Sequence, residues 1–270
     1  AELACDIESQ ASVDAAIASA APDAIVLSAG QAAVAESWRD PVFTLRSNTS
    51  GAFHLLDGMR RHAPTAHLCF LSSAAVYGAP SGVAGQPFTE NSAMQPSSPY
   101  GASKAAAELL CRQHARGFGL RIAIARLFNQ IGPGQPASQA PSEFASALAS
   151  AEAAGEPVLE LGIGNPDFQR DFTDVRDTAR ALARLSELEL TGTFNLCRGS
   201  ERSLGEIAQG LASFSQVDIK VAPDEAHERP QNIGSLAGSP EKLKRATGWQ
   251  PEISFERSLE DLLNDWRSGR

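Results

Sequence analysis

A tyrosine and a lysine stand four residues apart at the start of a helical pattern: Tyr100 and Lys104 in the run SSPYGASKAAAELL. Ser97 or Ser98 can cap this helix, and Pro99 suits its first turn. In a helix, the side chains of Tyr100 and Lys104 lie on one face. A phenol has a pKa of about 10, and a nearby ammonium group favours its ionised form. The spacing therefore predicts a tyrosine that transfers a proton, although a tyrosine and a lysine on a solvated helix face give the same pattern.

Two serines, Ser72 and Ser73, end an apolar run that is typical of a strand, HLCFLSS. Ligands of parallel sheets bind at the carboxyl ends of the strands, where a serine hydroxyl can hydrogen-bond a substrate oxygen. A lone serine there more often only caps the strand. Because Ser73 is followed 27 residues later by Tyr100, we interpret the strand tip and the Tyr–Lys helix together as one candidate site.

Short apolar runs alternate along the chain with segments of helical period, which predicts an α/β fold with a doubly wound parallel sheet, covered by helices on both faces. The predicted strands are 24–29, 67–73, 120–128, 157–162, 192–197 and 218–222. The predicted helices are 9–20, 41–62, 98–116, 141–153, 174–188, 203–214 and 254–267.

Loop-forming residues become frequent after residue 128, which indicates a second unit in the C-terminal half. We expect a Rossmann domain over 1–128, to which 172–197 returns. A smaller C-terminal α/β domain that binds substrate is expected over 129–171 and 198–270. A cleft between two domains is the default ligand site.

Composition narrows the class of partner. The 32 acidic and 23 basic side chains give a net charge of −9, which disfavours nucleic acid and anionic membranes. No apolar run reaches 18 residues, so we expect no membrane span. Four scattered cysteines predict reduced, buried thiols in a cytoplasmic protein. Five histidines without ligand spacing predict that there is no metal site.

Nine segments, in order along almost the whole chain, resemble the extended branch of the short-chain dehydrogenase/reductase superfamily, the NAD-dependent nucleotide-sugar epimerases, dehydratases and reductases. The segments are CDIES (5–9), IVLSAG (25–30), RSNTSGAFHLL (46–56), FLSSAAVYG (70–78), SPYGASK (98–104), ARLFNQIGPGQ (125–135), RDFTDVRD (170–177), TFNLCRG (193–199) and RPQNIGSLAGSPEKLKRATGWQP (229–251). Within this branch, FNQIGPGQ, RDFTDVRD and the C-terminal segment most resemble reductases of GDP-4-keto-6-deoxymannose.

The resemblance implies a role for each matching residue. Ser73 would hold the C4 oxygen of the sugar, Tyr100 would deliver a proton to it, and Lys104 would bind the nicotinamide ribose. The cofactor, NADP or NAD, would be bound by Asp6, Ile7, Leu27, Ala29, Gly30, Asn48, Ser72, Tyr100, Lys104 and Phe128. The nucleotide sugar, with GDP as the favoured nucleotide, would be bound by Ser73, Asn129, Arg170 and Arg229.

Two of these roles have plain structural alternatives. Asn48 equally fits an ordinary residue at a helix kink. Arg170 could instead form a surface ion pair with Asp171 or Asp174, although arginines beside a pyrophosphate suit an acidic protein because charged, bidentate bonds overcome its overall field.

The residues after Ser73 bear on the type of reaction. Dehydratases of this branch carry a carboxylate at one or both of the positions occupied here by Ala74 and Ala75, which cannot exchange a proton. The resemblance then implies the NAD(P)H-dependent reduction of the 4-keto group of a GDP-4-keto-6-deoxyhexose to GDP-6-deoxy-D-mannose. A nucleotide-sugar 4-epimerase of the UDP-glucose type and an inactive truncated fragment remain as alternatives.

The resemblance also implies a homodimer and an upstream segment. Helices 41–62 and 98–116 would form a four-helix bundle with their copies, with Leu55, Leu110 and Cys111 facing outward. The family's glycine-rich turn and first two strands would precede CDIES, and nothing in the chain matches G-x-G-x-x-G. We therefore expect an N-terminally truncated sheet with 24–28 as an edge strand, weak cofactor binding, and association through that edge.

Overall fold

The computed structural model describes residues 2–78, 86–223 and 236–269. The helices are α1 Gln10–Ala20, α2 Val34–Arg39, α3 Pro41–Leu45, α4 Gly51–His62, α5 Pro99–Phe118, α6 Ala140–Ala154, α7 Val175–Glu187, α8 Leu204–Ala212, α9 Glu241–Thr247 and α10 Phe255–Arg267. The strands are β1 Ala24–Leu27, β2 His67–Ser73, β3 Arg121–Leu127, β4 Asn129–Ile131, β5 Val158–Ile163, β6 Gln169–Asp174, β7 Gly192–Leu196, β8 Glu201–Ser203 and β9 Asp218–Pro223.

A four-stranded parallel sheet in the order β1-β2-β3-β7 forms the first layer of the fold. Successive residues of its strands point to opposite faces. Leu68 and Phe70 of β2 pack on the side of α1, α4 and α5, whereas Cys69 packs on the side of α7 and α9. Both faces of the central strands are therefore covered, which suits their largely apolar sequences, and the predicted parallel α/β architecture is confirmed.

Two small sheets lie in the C-terminal half, in the orders β4-β6-β8 and β5-β9. They share a separate apolar core with α6, α8 and α10, in which Leu148, Phe172 and Leu262 are almost fully buried. The indole nitrogen of Trp266 donates to Ser142 Oγ at 2.9 Å and ties α10 to α6. Strand β7 leaves this half of the chain and pairs with β3 in the four-stranded sheet.

All six predicted strands and all seven predicted helical segments are present, with ends that shift by a few residues. The predicted helix 41–62 is divided, however, by a π-helical turn over Arg46–Ser50. Sequence reasoning missed β4, β6, β8, α2 and α9. Strand β6 was missed because its sequence, QRDFTD, is polar, yet five of its six residues are buried.

Within the described part of the chain, β1 is an edge strand, as expected, and its Val26 is 48% exposed. The prediction that the cysteines are buried is wrong for Cys5, which lies exposed in an irregular segment, whereas the other three thiols are buried. Two predicted outward residues are also inside: Leu55 and Cys111 belong to the core beneath the four-stranded sheet, and only Leu110 remains partly exposed.

Candidate active site

The tip of β2 and the first turn of α5 bring Ser73 and Tyr100 together. Ser73 ends β2, and its hydroxyl accepts a hydrogen bond from the backbone amide of Ala75 at 3.1 Å, which starts a short 3-10 turn. The Ser73 side chain also lies near enough to the Tyr100 phenol to lower its pKa. The structure therefore brings the strand-tip hydroxyl and the phenol near one another.

The start of α5 is fixed by its sequence. The Ser98 hydroxyl accepts from the amide of Gly101 at 3.1 Å, and Pro99 occupies the first turn. Gly101 packs against the turn that follows β2, since a Cβ at this position would lie 2.5 Å from the carbonyl oxygen of Ala75. Only glycine lets the two segments approach this closely, and the approach leaves Tyr100 just 9% exposed.

Burial dominates the electrostatics of Tyr100 and Lys104. Desolvation raises the pKa of Tyr100, and the nearby Ser73 hydroxyl offsets this only in part. Desolvation lowers the pKa of Lys104 to about 8. The sequence argument predicted a lowered tyrosine pKa; in the structure the apolar surroundings of the phenol reverse that direction. Tyr100 is therefore protonated at neutral pH and suited to donate a proton.

Lys104 lies against β2, one turn of α5 beyond Tyr100. Its Nζ donates to the carbonyl oxygen of Leu71 at 3.0 Å and lies 5.4 Å from the centre of the Phe70 ring. This contact holds the ammonium group beside the strand that ends at Ser73. The three predicted catalytic side chains thus come from one helix face and one strand end.

Asn48 links the loop after β1 to the helix that carries Tyr100. It lies in the π-helical turn, 4% exposed. Its Oδ1 accepts from the amide of Gln31 at 2.8 Å, and its Nδ2 donates to the Gln31 carbonyl at 2.9 Å and to Ser103 Oγ at 3.0 Å. Ser103 Oγ donates in turn to the Tyr100 carbonyl at 2.7 Å. Asn48 therefore occupies a helix distortion and also makes long-range contacts.

The remaining predicted cofactor residues near the chain start surround the same loop. Leu27 is buried at the end of β1, and Ala29 and Gly30 follow it as exposed residues. Gly30 has a φ of +139°, and a Cβ there would meet Asn48 Oδ1 at 2.5 Å. A glycine at this position therefore lets the Asn48 side chain lie directly against the loop.

Asp6 and Ile7 form a turn before α1. Asp6 is exposed, and its Oδ1 accepts from the amide of Glu8 at 2.9 Å. The Ile7 carbonyl lies 2.9 Å from His54 Nδ1, and the Ile7 side chain packs against the first turn of α4 at Gly51. The turn is thus attached to the start of α4, which directly follows the π-helical turn that contains Asn48.

Ser72 and Phe128 are engaged inside the protein. The Ser72 hydroxyl donates to Glu108 Oε1 at 2.6 Å. The Phe128 amide donates to the Leu196 carbonyl at 3.1 Å, and its own carbonyl accepts from Gln130 Nε2 at 3.0 Å. Both residues lie at the carboxyl ends of strands as predicted, but their polar groups already have protein partners.

A buried ion pair below the site escaped the sequence reasoning. Glu108 and Arg126 are 0% and 1% exposed, and two bonds of 2.9 and 2.7 Å join the guanidinium to the carboxylate. Arg112, on the outer side of α5, adds a third bond of 3.0 Å. Arg126 within the apolar run 120–128 could have indicated this ion pair, because a buried guanidinium requires a charged partner.

The predicted substrate residues lie on neighbouring short strands. Asn129 begins β4, is exposed, and pairs in register with Phe172 of β6. Arg170 of β6 is 9% exposed, with its guanidinium carbon 3.5 Å from the centre of the Phe168 ring. The fourth predicted residue, Arg229, lies outside the described residues.

The two carboxylates that offered an alternative for Arg170 have other partners. Asp174 binds the Arg176 guanidinium at 2.8 Å. Asp171 is fully buried and accepts from the backbone amides of Arg198 and Gly199, both at 2.9 Å. Burial raises the pKa of Asp171 to about 6.

Within residues 2–78, 86–223 and 236–269, no three His, Cys, Asp or Glu side chains are grouped closely enough to hold a metal ion. The same described ranges contain no helix with the length and apolarity needed to cross a membrane.

A parallel sheet with Ser73, Tyr100 and Lys104 at its carboxyl edge defines a Rossmann-fold enzyme of the short-chain dehydrogenase/reductase class. The family model described as GDP-mannose 4,6 dehydratase matches residues 2–262. The chain belongs to this family, and the resemblance drawn from its motifs is confirmed.

Comparison with individual relatives shows which members of the family the chain is similar to. The chain is 37% identical over 248 residues to GDP-6-deoxy-D-mannose reductase of Pseudomonas aeruginosa, covering 92% of this chain and 81% of the relative. A solved structure of RMD from Pseudomonas aeruginosa complexed with NADPH superposes with a TM-score of 0.90 at 34% identity, covering 98% and 88% of the two chains. UDP-glucose 4-epimerase of Thermus thermophilus in complex with NAD gives 0.85 at 27% identity, covering 98% and 84%.

Proposed function

We propose that this protein reduces the 4-keto group of GDP-4-keto-6-deoxymannose to give GDP-6-deoxy-D-mannose, with NADPH or NADH. The observation that carries the proposal is the proximity of Ser73, at the end of β2, to Tyr100, with Lys104 one helical turn away. The identity to a GDP-6-deoxy-D-mannose reductase supports this substrate over other nucleotide sugars.

Each side chain of the pair has one task. The Ser73 hydroxyl hydrogen-bonds the C4 oxygen of the sugar and orients the carbonyl. Tyr100 donates its phenolic proton to that oxygen, because burial keeps the phenol protonated at neutral pH. Lys104 stabilises the phenolate that remains and would also hold the ribose next to the nicotinamide. A bound dinucleotide would supply the hydride.

The loop after β1 fits a dinucleotide. Ala29 and Gly30 are exposed at the carboxyl edge of the sheet. The Asn48 side chain hydrogen-bonds the backbone of the residue that follows them, Gln31. Asp6 and Ile7, fixed on α4, would bind the adenine end. The engaged groups of Ser72 and Phe128 support a role in shaping this site rather than one as direct ligands.

The nucleotide sugar would be bound from the C-terminal half. Arg170 and Arg229 would bind the pyrophosphate and Asn129 the sugar. The separate core around α6, α8 and α10 supports a substrate domain over 129–171 and 198–270. The pairing of β7 with β3 supports the return of 172–197 to the cofactor domain, which begins with 1–128.

Ala74 and Ala75 favour reduction over dehydration, since neither can remove or add the proton that loss of water requires. The 4-epimerase is the second candidate, because it uses the same Ser–Tyr–Lys grouping and a UDP-glucose 4-epimerase shares the fold. Separate incubations distinguish the two. With GDP-4-keto-6-deoxymannose the protein should oxidise NADPH, whereas with UDP-glucose it should form no UDP-galactose. The opposite pattern would establish the epimerase.

We also propose a cytoplasmic homodimer formed by α3, α4 and α5. Large apolar side chains are exposed on these helices, including Val42 at 72%, Leu109 at 57% and Phe53 at 42%. Replacing Phe53 and Leu109 together by Asp should give a monomer by light scattering. The matched control, Leu188→Asp directly after α7, also changes an exposed leucine and should leave the dimer intact. A monomeric unmodified protein at micromolar concentration would refute the interface.

A further inference from the structure

Ser72, the residue before Ser73, has its hydroxyl bonded to Glu108 Oε1 at 2.6 Å. Both oxygens of that carboxylate are also bonded to Arg126. We propose that the buried Glu108–Arg126 pair positions Ser73 and Tyr100 for proton transfer. This inference rests on the proposed function and adds two positioning residues to it.

The first part of the argument is the contact between α5 and β2. Lys104 and Glu108 follow Tyr100 at successive turns on one face of α5. Lys104 bonds the carbonyl of Leu71, and Glu108 bonds the side chain of Ser72. Two adjacent residues of the strand are therefore attached to the helix that carries Tyr100, and the next residue of the strand is Ser73. Loss of either attachment would free the strand tip from the helix.

The second part is the contact between β3 and the turn after Ser73. Arg126 lies directly beside Ser72 in the register of β2 and β3. Its Nη1 donates to the Tyr77 hydroxyl at 2.9 Å, and that hydroxyl donates to Asn195 Oδ1 at 2.6 Å. Tyr77 ends the turn that begins at Ser73. The ion pair consequently holds Ser73 from both sides along the chain.

Stability alone does not account for this pair. Taking two charges out of water costs several kcal/mol per ion in general, and apolar replacements of the same volume are often equally stable. What a directional pair adds is a fixed geometry, and the proton transfer between Tyr100 and the sugar oxygen depends on distance and orientation. Glu108 and Arg126 contact neither reacting group directly, so their effect must act through Ser72 and Tyr77.

The test compares three variants of the full chain. Glu108→Gln keeps the side-chain shape and removes the charge, and should lower kcat about 10- to 100-fold with both KM values within about twofold. Arg112→Met is the matched control, because it removes the outer partner of the same carboxylate; its kcat should stay within about twofold. An unchanged kcat in Glu108→Gln would overturn the proposal.

The double variant Glu108→Leu/Arg126→Met separates positioning from folding. It should regain most of the melting temperature lost by Glu108→Gln, because no unpaired charge stays buried, while kcat remains at least about tenfold low. Recovery of kcat together with the melting temperature would show a purely structural role.

A further readout does not require turnover. Amide hydrogen exchange of residues 74–78 should become faster in Glu108→Gln and remain unchanged in Arg112→Met, because the turn loses its attachment. If the unmodified enzyme fails to reduce GDP-4-keto-6-deoxymannose, the proposed function fails on its own. Equal exchange in Glu108→Gln and the unmodified protein would instead overturn the positioning role.

Discussion

The hydroxyl of Ser73 lies near the phenol of Tyr100, although 27 residues separate the two in the chain. One is the last residue of β2 and the other lies in the first turn of α5. A ligand oxygen placed between them would be held by one hydroxyl and protonated by the other. The following predictions test this arrangement.

Replacing Tyr100 by Phe should lower kcat/KM for the reduction by about 10²- to 10⁴-fold, because only the hydroxyl transfers a proton. The affinity for the nucleotide sugar should change little, since the ring and its packing remain. Initial rates and calorimetric titration measure the two quantities. Activity within a few-fold of the unmodified enzyme would remove Tyr100 from the mechanism.

The rate of reduction should fall as the pH rises through about 8. Burial lowers the pKa of Lys104 to that value, so above it the ammonium charge that stabilises the Tyr100 phenolate is lost. A profile of kcat/KM between pH 6 and pH 10 tests this range. Lys104→Arg keeps its charge throughout and should show a flatter profile. If kcat/KM of Lys104→Arg fell at the same pH and to the same extent, the titration would belong to another group.

Lys104 should also lower the stability of the folded protein at neutral pH. Its folded pKa of about 8 lies below its ordinary value of 10.5, so the unfolded chain binds the proton more tightly. The resulting loss of unfolding free energy, on the order of 3 kcal/mol, is fully present below pH 8 and disappears as the pH rises towards 10.5. Lys104→Met should therefore raise the free energy of unfolding at pH 7 and have little effect near pH 10.5, as measured by urea denaturation.

Gly101→Ala should reduce both activity and stability. The new Cβ would lie 2.5 Å from the Ala75 carbonyl oxygen, so the start of α5 must move away from the turn after Ser73. The matched control is Gly117→Ala near the other end of α5, where the nearest atom is the flexible Gln113 amide at 3.1 Å. That change should stabilise the helix by about 0.5–1 kcal/mol and leave kcat unchanged. Equal effects of the two substitutions would contradict the proposed close contact.

The central strands β2 and β3 were predictable because each is a largely apolar run that is buried on both faces. The meeting of Ser73 with Tyr100 followed from a strand tip and a helix start, both marked in the sequence. Strand β6 was hidden because its burial depends on partners distant in sequence, such as the backbone amides of Arg198 and Gly199 that bind Asp171.

Side-chain direction was the other limit. Leu55 and Cys111 are apolar residues on helices that were expected to form an interface as well as a core, and periodicity alone does not distinguish the two sides. Ser72 was expected to bind the cofactor from the family resemblance. Successive residues of a strand face opposite ways, and the carboxylate that binds Ser72, Glu108, comes from a helix 36 residues later.

The amide of Asn48 bonds both the backbone of Gln31 and the side chain of Ser103, which bonds the carbonyl of Tyr100. Redesign of the loop after β1, for example to exchange one dinucleotide for another, is therefore not a local operation. A side chain introduced at Gly30 would press on Asn48, and the displacement would reach the helix of Tyr100 through only two side chains. Cofactor preference and turnover should consequently be difficult to engineer independently in this protein.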